Sequence, residues 1–133
     1  MAEKHVDLMA MAGLRDELET LRRLAQEGDP VAQFNMGVRH AEGQGVPQDF
    51  VEAARWYSAA ADQGDAPAQF NLGLLFYQGQ GVERSLDYAY ELFRLAALQG
   101  DARARAGLDA VLLELDADSR ERLQRQFPLP TSH

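Results

Sequence analysis

Gly28-Asp29-Pro30-Val31-Ala32-Gln33-Phe34-Asn35-Met36-Gly37 returns about 36 residues later as Gly64-Asp65-Ala66-Pro67-Ala68-Gln69-Phe70-Asn71-Leu72-Gly73. A second matching pair follows in the same register, Gly43-Gln44-Gly45-Val46 and Gly79-Gln80-Gly81-Val82, and Gly100-Asp101 opens a weaker third copy. One such unit cannot bury its own apolar face, so copies must stack. The chain is therefore read as all-α, a short solenoid of six to seven helices arranged as hairpins.

Each copy holds two stretches of helical periodicity separated by a glycine-rich turn. Asp29 and Asp65 are placed to cap the first, or A, helices, expected over 30–41 and 66–77, with Pro30 and Pro67 in the first turn where the missing N–H costs nothing. The Gly-Gln-Gly turns end them. Asp49 and Ser85 begin the second, or B, helices, which stop before Gly64 and Gly100. Gly37, Gly73, Ala53 and Ala89 are small where two backbones are expected to approach closely. Trp56-Tyr57 and Leu92-Phe93 should close the core against Met36 and Leu72.

Projected backwards, the register puts Leu18, Leu21, Leu24 and Ala25 on a B-like capping helix over 13–27. Projected forwards, it gives an A-like helix over 102–114, with Leu108, Val111 and Leu112 on its apolar stripe, then a short helix from Ser119 to Gln126 with no Gly-Gln-Gly turn before it. The expected organisation is an arm at 1–12, one repeat domain at 13–127 and a tail at 128–133. Within the domain, 13–28 caps the stack, 29–64 and 65–100 are full repeats, and 101–127 is a degenerate closing repeat. Pro128-Leu129-Pro130 cannot continue a helix, so the tail should be extended or disordered.

The 133 residues carry 21 acidic against 13 Lys and Arg side chains, a formal charge of −8. Polyanions are repelled by such a surface, so neither nucleic acid nor a membrane is an expected partner. With no cysteine, disulfides and thiolate metal sites are excluded. The opening residues lack the basic and apolar runs of an export signal, and a cytoplasmic protein is expected.

The pattern Ala-x-x-x-(Leu/Met)-Gly, then Gly-x-Gly-Val, then Asp or Ser, then Ala-x-x-(Trp/Leu)-(Tyr/Phe)-x-x-Ala-Ala-x-x-Gly resembles the Sel1-like repeat, a relative of the tetratricopeptide repeat. The likeness covers roughly 13–126. It implies a right-handed superhelix whose A helices line a concave face, and members that serve mostly as bacterial adaptors or scaffolds. Two departures stand out. Arg39-His40 replaces the apolar-aromatic pair kept as Leu75-Phe76, and the paired cysteines of one secreted branch are missing.

Carried over position by position, the concave face would present Phe34, Val38, Ala41 and Glu42, then Phe70, Leu74, Tyr77 and Gln78. An apolar groove on an acidic chain suits a protein or peptide partner with apolar anchors and basic flanks. Phe34 and Phe70 are equally readable as core. Arg39 would pair with a ligand carboxylate and His40 would add pH dependence; alternatively, the His40 ring packs and the Arg39 stem covers apolar surface. Asn35 and Asn71, being repeated, are expected to bond the backbone of an adjacent helix.

The glycine turns lack a full dinucleotide or Gly-Lys-Ser/Thr pattern, and the three histidines are dispersed. Ser58, Ser85, Ser119 and Ser132 have neither a lysine three residues on nor a nucleophile-elbow setting. No cofactor, metal or catalytic residue is assigned, and no enzyme is expected. The leading function is a non-enzymatic interaction module. Alternatives are an immunity protein or secretion chaperone for a bacterial effector and, more weakly, a β-lactam-type hydrolase. Self-association would run head to tail through Arg120, Arg122 and Arg125, or through Phe127 and Leu129 entering a groove.

Overall fold

The structure is a computed structural model that describes residues 8–129. Among these there are seven helices and no strand: α1 Leu8–Gln26, α2 Pro30–Glu42, α3 Phe50–Asp62, α4 Ala66–Gln78, α5 Leu86–Leu98, α6 Ala102–Glu114 and α7 Ala117–Gln126. α1 to α6 each pack mainly on their sequence neighbours, which is the arrangement of an α-helical solenoid. α2, α4 and α6 are the A helices, and α1, α3 and α5 occupy the B register.

Local chemistry sets the helix ends. The Asp29 and Asp65 carboxylates accept from Ala32 N and Ala68 N at 3.1 and 3.0 Å, and Asp49 and Ser85 cap α3 and α5 in the same manner. Gly43 and Gly79 close α2 and α4 in the left-handed region, at φ of 69° and 70°. α1 starts at Leu8, ahead of the expected 13, because Leu-Met-Ala-Met-Ala supplies strong helix formers that extend the segment. Residues 8–12 thus belong to the helix, while the rest of the expected arm lies outside the described residues. α7 also starts early. Only Leu115 and Asp116 separate it from α6, and Asp116 caps it by accepting from Ser119 N at 2.7 Å.

The core is divided along the stack. Ala25, Ala32 and Met36 pack with Trp56 at the N-terminal end; Tyr57, Leu72 and Leu75 fill the middle; Phe70, Tyr90, Phe93, Leu108, Val111 and Leu123 fill the C-terminal end. Gly37, Gly73 and Gly107 accommodate rings rather than a neighbouring backbone, which corrects the expectation of close backbone approach at Gly37 and Gly73. A Cβ on Gly73 would stand 2.7 Å from the Phe93 ring, and one on Gly107 would stand 2.8 Å from it. Gly37 leaves room for Tyr57 in the same way.

A glutamine ladder, buried at Gln33 and Gln69 and exposed at Gln63 and Gln99, ties each hairpin to the next. Gln63 Nε2 donates to Gln33 Oε1 at 2.8 Å and to Gly28 O, while Gln33 Nε2 donates to Ala25 O at 3.1 Å. One repeat on, Gln99 Nε2 donates to Gln69 Oε1 and Gly64 O, and Gln69 Nε2 to Ala61 O. Buried amides with partners on both sides fix the stacking register, since a lost partner leaves a desolvated polar group.

Candidate functional site

The sequence-predicted face lies along the A helices, where residues one repeat apart form columns. Phe34 is half-buried on α2, its ring tilted 35° against Tyr57 at 5.8 Å between centroids. Val38 and Ala41 follow, also half-buried, and pack on the middle of the core. Leu74 and Tyr77 on α4 are half-buried against the C-terminal cluster. Glu42 and Gln78 are exposed at the helix ends, where Glu42 accepts from Gln44 Nε2.

Phe70 stands apart from this row. It is only 8% exposed, stacks on Phe93 at 5.7 Å, and is covered by the Arg103 guanidinium 4.4 Å above its ring. Arg103 is held there by its fork onto Asp101, with Nη2–Oδ2 at 3.0 Å. Phe70 therefore supports the face from beneath. Arg39 and His40 are half-buried, and His40 Nδ1 is enclosed without a hydrogen-bond partner. His40 occupies the position that Phe76 takes one repeat on, as a packed ring would. Burial raises the Tyr57 pKa, and the neighbouring Asn71 side chain counters that rise.

At the far end of the row the columns are joined by charge. The Tyr77 hydroxyl donates to Glu114 Oε1 at 2.5 Å, Arg84 Nη2 bonds Glu114 Oε2, and Arg84 Nε donates to Tyr77 O at 2.8 Å. The Arg84 guanidinium also sits 5.5 Å from the Tyr77 ring centre. The hydrogen bond from Tyr77, followed by that from Arg84, lowers the Glu114 pKa, and the same bond raises that of Tyr77. In the first repeat the equivalent place is uncharged: Gln48 Nε2 donates to Ala41 O at 2.9 Å.

Two surfaces escaped sequence reasoning. Leu113 completes the Ala41–Tyr77 column on α6 and is 82% exposed. The second surface is a pocket of about 400 Å³ between α4, α5 and the tail, lined by Leu72, Phe76, Tyr88, Leu92, Leu95 and Phe127. Phe127 is placed there by backbone bonds. Tyr90 Oη donates to Phe127 O at 2.6 Å and Arg94 Nε to Pro128 O at 2.7 Å. The described part of the tail is thus docked on α5, a B helix; residues 130–133 lie outside the described residues. Periodicity alone marks the α5 residues as core, and only comparison of α5 with α3 exposes the difference.

The repeated hairpins define a helical-repeat solenoid. The Sel1 repeat model matches residues 30–65 and 66–101, and the chain belongs to the Sel1 repeat family. It is similar to a protective antigen of uropathogenic Escherichia coli strains displaying an SLR fold, at 36% identity and a TM-score of 0.71 over 73% of this chain and 21% of that one. It is also similar to a Sel1 repeat protein from Oxalobacter formigenes, at 40% identity and a TM-score of 0.68 over 68% of this chain and 26% of that one. The chain thus spans about a quarter or less of the length of these two bacterial proteins. No curated protein matches it. Sel1 repeat proteins generally mediate protein–protein interaction and are typically non-catalytic. Among the described residues, no helix is long and apolar enough to cross a membrane.

Proposed function

We propose that this chain is a non-catalytic adaptor module that captures a segment of a partner protein along the A-helix face. The observation that carries the reading is the row of incompletely buried apolar side chains, Phe34, Val38, Leu74 and Tyr77, ending in Leu113 at 82% exposure. A leucine left in water at the end of such a row has no folding role. Glu42 and the net charge of −8 favour a ligand with basic flanks around its apolar anchors. Arg39 and His40 give the first repeat a different rim from Leu75 and Phe76 in the second, while Gln78 and the Tyr77–Arg84–Glu114 cluster set the other end. Phe70 contributes by holding the row in place. A cytoplasmic location fits the absence of cysteine.

The test is a peptide-display selection on the immobilised full chain, followed by titration of the selected peptides against Val38→Asp and Leu113→Asp. Enriched peptides should combine apolar anchors with Lys or Arg, and both variants should weaken binding about tenfold or more, roughly 1.4 kcal/mol. The melting temperature of Leu113→Asp should stay close to that of the parent, whereas Val38→Asp also loses packing on the core and is titrated at a temperature where circular dichroism shows it folded. Selected peptides that bind both variants with unchanged affinity would overturn the assignment to this face.

A further inference from the structure

At three positions the outward face of α5 is apolar where the other two helices of the same register are not, while α3 exposes Val51 at the place of Asp87. Tyr88, Leu95 and Leu98 are 58%, 41% and 51% exposed. One repeat earlier these positions are Glu52, Ala59 and Asp62, and on α1 they are Asp16, Arg23 and Gln26. α1 and α3 fold with polar or small residues there, so hairpin packing does not demand Leu95 and Leu98, while Tyr88 also packs its ring on Phe76 at 5.1 Å between centroids. The neighbouring positions are also distinctive, with Glu91 and Arg94 on α5 in place of Arg55 and Ser58 on α3. The 400 Å³ pocket between Phe76 and Phe127 extends the same surface to both sides of the helix.

From this we infer that α5 is a self-association surface, on which a second copy of this chain packs its own α5 antiparallel about a two-fold axis near the middle of the helix. Charge selects this occupant. Within the patch, Asp87 is paired with Arg122 at 3.1 Å, and Glu91 and Arg94 carry one charge of each sign, so the face is locally neutral on a chain of net charge −8. Neither a basic nor an acidic partner is drawn to it electrostatically, whereas two copies meet here without the repulsion they meet elsewhere.

The symmetry is self-complementary. An axis near Phe93 brings Tyr88 of one copy to Leu98 of the other, Leu92 to Leu95, and Glu91 to Arg94, and each pairing occurs twice. Glu91 has no ion-pair partner among the described residues. The Arg94 Nε–H is held by Pro128 O and the guanidinium lies 5.8 Å from the Phe127 ring centre, so its remaining N–H groups are the donors offered to Glu91 of the second copy. A 13-residue helix is about 20 Å long. One such helix with its flanks makes a small interface, so the dimer forms reversibly and depends on concentration.

Sedimentation equilibrium of the full chain over about 10 μM to 1 mM provides the test. The weight-average mass should rise from one chain toward two. Leu95→Asp should return it to one chain throughout, with the helical circular dichroism and melting temperature of the parent. The orientation is tested with Tyr88→Cys/Leu98→Cys in a chain that has no other cysteine. These positions are ten residues apart on one helix, about 15 Å, and cannot bridge within a copy. Mild oxidation should therefore link two copies covalently through the double variant far faster than through either single variant. A mass of one chain up to the highest concentration, or self-association that survives Leu95→Asp, overturns the proposal. Disulfide formation no faster in the double variant than in the singles overturns the antiparallel pairing.

Discussion

Gly73→Ala tests whether a side chain on the A helix is excluded by a ring. Ordinary carbon–carbon contact lies at about 3.5–4.0 Å, whereas the new Cβ would stand 2.7 and 2.8 Å from Phe93 Cε1 and Cδ1. The ring cannot retreat. On its other face a Cβ at Gly107 would already be 2.8 Å from Cδ2, so Phe93 fills the gap between α4 and α6 with no slack. Forcing an extra carbon into a packed core costs about 1–3 kcal/mol, and alanine regains about 1 kcal/mol of helix propensity over glycine. The double contact places the cost near the upper end, for a net loss of about 1–2 kcal/mol. Gly13→Ala on α1 isolates the propensity term, because no atom lies within 4 Å of its Cβ. It should stabilise by up to about 1 kcal/mol. Urea denaturation followed by circular dichroism should separate the two variants by about 1–3 kcal/mol. In a Phe93→Leu background, which removes the ring edge, Gly73→Ala should become neutral or stabilising, a coupling of at least about 1 kcal/mol. Gly73→Ala at parental stability, or an equal cost in both backgrounds, would refute the reasoning.

The two Gly-Gln-Gly turns look interchangeable, yet Gly81→Ala should cost about 1–3 kcal/mol more than Gly45→Ala in the same denaturation assay. Both residues have left-handed φ, 73° and 77°, but a Cβ on Gly81 would collide with the Phe50 carbonyl and lie 2.7 Å from Val51 N, whereas one on Gly45 meets only Leu18 Cδ2 at 3.4 Å. Equal costs would show that backbone strain alone governs these turns. Gln69→Leu removes the acceptor for Gln99 Nε2 and the donor to Ala61 O, and should cost about 1–3 kcal/mol; an unchanged midpoint would mean the ladder does not set the stacking. The pH dependence centres on Glu114, whose folded-state pKa lies below its ordinary value of 4.5 through the Tyr77 and Arg84 bonds. Its contribution is complete above about pH 4.5 and is lost as pH falls through the lowered folded-state value. The melting-temperature advantage of the parent over Glu114→Gln should therefore shrink on acidification from pH 5 to pH 3, and a difference that is flat or grows with acid would exclude the mechanism.

Helix ends were legible because they are fixed locally: Asp29, Asp65, Asp49 and Ser85 cap, and Gly43 and Gly79 terminate, within a few residues of where the sequence puts them. The seven-helix solenoid follows from those ends and the repeat. Contacts between distant parts of the chain were not legible. The Arg103 cover over Phe70 depends on where α6 docks, the Phe93 ring fills a space shared by glycines on two different helices, and the Tyr90 bond to Phe127 O depends on the early turn into α7. None leaves a mark on local periodicity. For the candidate surfaces, the repeat supplies an internal reference: identical residues in two copies report what folding requires, and differing residues hold whatever is particular to each. Difference alone is too generous, since Tyr57 against Phe93 is a change inside the core and Arg103, in place of Val31 and Pro67, is a change that shields it. A difference becomes a candidate for recognition when the larger apolar residue is also left in water. Leu113 on the A-helix face and Tyr88, Leu95 and Leu98 on α5 meet both conditions, whereas Phe70 meets neither. That separates two surfaces on one short solenoid, an A-helix row open to a foreign segment and a locally neutral B-helix face suited to its own copy.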